Sequence, residues 1–116
     1  SADEERLVSY AANRLIDPTV RRTIRNIVEL RRERDARRRA RESVEAEIRG
    51  ITADQERIRG NMQSLERDSS LYRRYVRRLD DQEDRLELRL EDLADAREEE
   101  DAAETALREY IRTLTD

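Results

Sequence analysis

Residues 71–114 read LYRRYVRRLDDQEDRLELRLEDLADAREEEDAAETALREYIRTL. Alternating steps of three and four along this stretch pick out Tyr72, Tyr75, Leu79, Gln82, Leu86, Arg89, Leu93, Ala96, Glu100, Ala103, Leu107, Tyr110 and Leu114. These thirteen positions hold the heptad step without a stutter, interrupted in character by Gln82, Arg89 and Glu100. A sustained 3–4 alternation keeps one stripe of a helix against a partner helix, so the stretch predicts a coiled-coil arm over about 70–114.

The partner lies upstream. Stepping back from Leu65 gives Met62, Ile58, Gln55, Ile51, Ile48, Val44, Arg41, Arg37, Arg34, Leu30, Ile27 and Thr23. This predicts arm one over about 18–66, apolar towards both ends and arginine in the middle. Asp17 is a good N-cap, and Pro18 suits the first turn of a helix. Residues 3–16 predict a short amphipathic helix with Leu7, Val8, Ala11, Leu15 and Ile16 on one side. The chain is thus divided into a short N-terminal helix and linker, 1–17, and a helical hairpin, 18–116. Gly50 and Gly60 lie off the seam.

The polar run Arg67-Asp68-Ser69-Ser70 predicts the turn, with Asp68 or Ser69 capping arm two. Two long helices joined by a short connection fold back on each other. With the fold point near 68–69, facing residues sum to about 137. Leu65 then faces Tyr72, Ile58 faces Leu79, Ile51 faces Leu86 and Leu30 faces Leu107. Gln55 faces Gln82, and two buried amides that meet fix an alignment. Arg37 faces Glu100 within a broader match. Segment 31–41 holds seven arginines against Glu33 and Asp35, and its mirror, 96–106, holds five acids against one arginine. Exposed ion pairs contribute only about 0–1 kcal/mol each, so their value lies in orientation. A parallel dimer would set arginine on arginine, whereas the antiparallel fold neutralises it. An antiparallel dimer swapped at the turn would satisfy the same pairing; the closed hairpin is the preferred reading. The fold class expected is all-α: a long antiparallel two-helix coiled-coil hairpin, about 65–75 Å from its residue count, with the short N-terminal helix packed at its base. At that base Val20, Ile24, Ile27 and Val28 are expected to meet Leu107, Tyr110, Ile111 and Leu114.

Composition agrees with this. Charged residues make up 47% of the 116 and hydrophobic ones 35%, with no Phe or Trp, too little apolar mass for a globular core. Only two glycines and one proline occur, where a disordered chain would be rich in such breakers. All 25 basic residues are arginine, and the net charge is −4. The absence of Cys and His removes disulfides, thiolate metal sites and imidazole catalysis. No run approaches the length of a membrane span, so membrane insertion is not expected.

Each remaining motif has a plain reading beside a functional one. The run 31–41 resembles the basic hairpin arm of seryl-tRNA synthetase and offers an RNA-binding surface; a lattice with the acids of 96–106 accounts for it more simply, making nucleic acid an unlikely partner. The acids at 98–101 lack the loop geometry of a calcium site, and no cofactor or metal is expected. Tyr72 and Tyr75 are candidate contact points for a partner, since rigid aromatics make good anchors; their plain role is to close the seam. Val76, Leu88 and Leu90 offer an apolar flank for self-association or a parent domain. No pair of carboxylates has a pocket, no small-molecule substrate is implied, and no catalytic constellation is present.

Three blocks, Ala53–Met62, Leu71–Val76 and Gln82–Glu87, together with Leu7–Val20, resemble the C-terminal helical segment of the mucoidy-inhibitor-A-like bacterial proteins. Those proteins carry an uncharacterised β-rich domain of unknown function. The resemblance implies a module of a larger protein and no known activity, cofactor or site. It leaves a non-enzymatic structural or protein-interaction coiled coil as the expected function, with a second copy, a parent domain or a protein as partner. The alternative is an RNA-binding arm using 31–41.

Overall fold

The computed structural model describes residues 1–11 and 17–115. These form α1 (Ala2–Ala11), α2 (Pro18–Met62) and α3 (Ser70–Thr115), and no strand occurs among the described residues. The fold is an all-α antiparallel coiled-coil hairpin with a short N-terminal helix. Leu15 and Ile16, expected on the apolar side of that helix, lie outside the described residues.

Each helix starts where its side chains satisfy orphan backbone donors. Ser1 Oγ accepts from the Glu4 amide at 3.2 Å, and Asp3, Glu4 and Glu5 set negative charge in the first turn of α1. Asp17 caps α2: its Oδ1 accepts from the Thr19 amide at 2.7 Å, and its carbonyl takes the first helical bond, from Arg21. Ser69 caps α3 by accepting from the Tyr72 amide at 3.1 Å.

The connection differs from the expected one. Arm one ends at Met62, not near 66, and the chain between the helices runs over 63–69. Gly60 and Asn61 are poor helix formers. Beyond them the amides of Gln63 and Leu65 reach back only three residues, to the carbonyls of Gly60 and Met62. The Ser64 hydroxyl also donates to the Asn61 carbonyl, competing with helical bonding. Polarity alone marked 67–70 as the break, whereas helix propensity ends the arm a turn earlier.

Two compact units are formed. The first comprises Ser1–Arg39 and Glu98–Asp116. In it Thr23, Ile27, Leu30 and Arg34 of α2 are half-buried along the seam, and Ala103 and Leu107 of α3 are buried. A second stripe on α2, Arg21, Ile24, Val28, Arg31 and Asp35, is also withdrawn from solvent, and Val28 is only 2% exposed. The α1 helix serves this side: Glu4 pairs with Arg32 at 3.6 Å, and Leu7 and Tyr10 border a depression shared with Arg31. The base is less packed than expected. Val20, Ile111 and Leu114 stay largely exposed. Ile111 sits beside the seam rather than on it, and the facing number for Val20 falls beyond the last residue of α3.

The second unit is Ala40–Arg97. Ile51, Ile58, Leu93 and Ala96 form its buried apolar seam, joined by two buried polar residues, Gln55 and Gln82. Ile58 is fully buried, and burying a side chain of that size stabilises the fold by about 1.5–3 kcal/mol.

Candidate functional site

The polar residues of the seam are the features that set this pair of helices apart from a plain apolar zipper. Gln55 and Gln82 share one buried layer of the second unit, 3% and 5% exposed. The sequence suggests that their amides meet, but they do not bond to each other. Gln55 Nε2 donates to Glu83 Oε1 at 2.8 Å, and Gln82 Nε2 donates to Asp54 Oδ2 at 2.5 Å. Each amide crosses the seam to the acid beside its facing residue. A bond to a carboxylate is charge-assisted and stronger than one between two neutral amides. The exchange leaves Gln82 Oε1 buried without a hydrogen-bond partner among the described residues. An orphan of this kind costs about 1–3 kcal/mol.

The same one-residue offset recurs at further polar contacts with the other helix. In the second unit Arg89 pairs with Glu47 at 3.3 Å, and Asn61 Nδ2 donates to the Tyr75 hydroxyl at 3.5 Å. In the first unit Asn26 Nδ2 donates to the Tyr110 hydroxyl at 3.0 Å. Arg37 pairs with Glu99 at 2.9 Å and Arg38 with Glu100 at 3.2 Å. The expected Arg37–Glu100 pair is therefore replaced by two pairs that straddle it. Arg37 faces Glu100, which leaves it no room in the seam, and it turns outward to Glu33 and Glu99. These partners sum to 136 or 138, one either side of 137; Arg38 also reaches a turn further, to Glu104 at 3.8 Å.

The remaining seam arginines use small neighbours. Arg34 lies opposite Ala103 by register, and Arg41 opposite Ala96, and both alanines are buried. An alanine leaves room for the apolar stem of an arginine while the guanidinium reaches the flank. The Arg34 guanidinium meets Asp35 at 3.0 Å and Glu104 at 3.9 Å; that of Arg41 meets Glu45 at 2.7 Å. The register sum of 137 places both arginines opposite alanines from the order of residues alone.

These bonds shift the titrating groups in predictable directions. A hydrogen bond from Arg57, and then one from Gln82, hold the Asp54 carboxyl below its ordinary range. The bond from Arg41 does the same for Glu45. Glu33 and Glu99 push the Arg37 guanidinium up.

At the hairpin end Tyr72 and Tyr75 are both half-buried seam residues. Tyr72 lines a solvent-open depression with Met62, Leu65 and Leu79, between Arg59 and Arg67. Val76, Leu88 and Leu90 are exposed on the outside of α3. Among the described residues no three acidic side chains gather in a way that would hold a metal ion, and no helix is long and apolar enough to cross a membrane. Comparison with family models, with curated proteins and with solved structures finds no significant match to the chain. The likeness to the mucoidy-inhibitor-A-like segment thus rests on its residue blocks alone.

Proposed function

We propose that this chain is a non-catalytic structural or interaction module that holds two long helices in one antiparallel register. The observation that carries the reading is the internal use of charge and amides. Guanidiniums of the 31–41 run meet carboxylates at Glu4, Glu33, Glu45, Glu99, Glu100 and Glu104. A surface built to grip RNA would keep those groups for phosphate. The module reading also fits the resemblance to a helical segment accompanying a β-rich domain, with a parent domain, a second copy or a protein as partner.

The RNA-arm alternative draws on the seven arginines of 31–41, and one pair of measurements separates the two. Replacing Arg37 and Arg38 by Gln should lower the thermal midpoint of the helical circular-dichroism signal and leave retention of tRNA unchanged. Loss of tRNA retention with an unmoved midpoint would establish the RNA arm instead.

A further inference from the structure

Charge is distributed unevenly along the sequence. Residues 57–78 hold seven arginines against Glu66 and Asp68, a local excess of +5 in a chain whose net charge is −4. From Asp80 onward α3 turns acidic, with Asp81, Glu83 and Asp84 following at once. The basic stretch is the end of the hairpin: about the last two turns of α2, the connection and about the first two and a half turns of α3. All seven arginines there are exposed.

Their partners separate them from the 31–41 run. Arg57 is held by Asp54 at 2.7 Å, the charge of Arg78 acts on the same carboxylate, and Arg73 donates to the Asp68 carbonyl at 2.6 Å. Arg59, Arg67, Arg74 and Arg77 make no ion pair within 4 Å with a described carboxylate. Unlike Arg34, Arg37 and Arg38 of the 31–41 run, these four are not neutralised across the seam. Arg73 and Arg77, and likewise Arg74 and Arg78, are spaced four apart and so stack along α3, about 6 Å between members.

We propose that this end of the hairpin is a docking surface for the phosphodiester backbone of a nucleic acid duplex, read without regard to sequence. The proposal rests on the module reading above and names what the module engages. The density of charge selects the occupant. A duplex carries one negative charge per about 1.7 Å of its axis, which meets several guanidiniums within two helical turns. An acidic helix presents a carboxylate to one side only about once per turn. A planar guanidinium also matches phosphate with two parallel bonds. Base readout is not provided for. Tyr72 and Tyr75 are half-buried in the seam, and Tyr75 is engaged by Asn61, so neither is a free stacking platform.

The test is fluorescence anisotropy with a labelled 20-base-pair duplex, as DNA and as RNA, beside circular dichroism of the same samples. Binding in low salt is expected, weakening about hundredfold between 50 and 200 mM salt if four phosphates are engaged. Replacing Arg59, Arg67, Arg74 and Arg77 together by Gln should weaken it about tenfold or more and flatten the salt slope, with helicity unchanged. Replacing Arg22 and Arg25, exposed arginines outside this end, should change little. Binding to either duplex through the four arginines supports the proposal, and the two duplexes together show which source of phosphate is preferred. No binding at 50 mM salt by a helical sample would overturn the proposal and leave the module reading standing. A sample without helix would remove the module reading itself. Binding that ignores the fourfold substitution overturns the proposal too. So does capture by polyglutamate or phosphatidylserine vesicles, or salt-sensitive self-association, without duplex binding.

Discussion

Ile58 and Asp54 show the two ways single residues act in this fold. Ile58 is fully buried on a seam only two helices wide, so little can collapse into a cavity left there. Ile58→Ala should destabilise the chain by about 2–5 kcal/mol in urea unfolding, whereas Leu88→Ala, at an exposed position, should change stability by less than about 0.5 kcal/mol. Asp54 acts through charge. Its carboxyl is held below the ordinary value by Arg57 and Gln82, and Glu45 is held low by Arg41. The unfolded chain therefore takes up these protons more readily than the fold does. The stabilisation is present above the ordinary carboxylate pKa of about 4 and is lost as pH falls through the lower folded values. The thermal midpoint should fall between pH 5 and pH 3. Asp54→Asn, which still accepts from Gln82, should show a shallower fall over the same range.

At the scale of the helix, Gly50 and Gly60 are the weak points of α2. Neither has a positive φ, and a Cβ added at either would meet nothing within 4 Å. Gly50→Ala and Gly60→Ala should each stabilise the chain by about 1 kcal/mol, read as a higher urea midpoint with an unchanged slope. Gly60 has a second effect, since with Asn61 it helps to end α2 at Met62. Alanine there should extend helix into 63–66 and raise the helical signal slightly. The α3 helix was legible almost residue by residue. Twelve of its thirteen seam positions are buried or half-buried, and only Leu114 is exposed. In α2 the seam was equally legible apart from Arg37. Of the second stripe only Ile24 and Val28 were legible, as apolar residues at the base; Arg21, Arg31 and Asp35 were not, because charged residues off the seam read as solvated until the structure withdraws them from solvent.

For the molecule as a whole, antiparallel pairing of α2 with α3 within one chain makes a direct prediction. Cysteines introduced at Gln55 and Gln82, joined by a short bismaleimide, should link within the chain and give no dimer on a denaturing gel. The sequence by itself determined the all-α class, the antiparallel sense and a register near 137. Those follow from periodicity and from the mirrored placement of arginines and acids, both properties of order along the chain. Only the tertiary structure decided which groups actually bond. Side chains on a curved helix surface lean past their facing residue, so amides and guanidiniums reach the flanking acid, one position away. It also decided which basic stretch is spent. Arg32, Arg34, Arg37, Arg38 and Arg41 have carboxylates beside or across from them, and Arg59, Arg67, Arg74 and Arg77 at the hairpin end do not, a difference of distance that no count of charges contains.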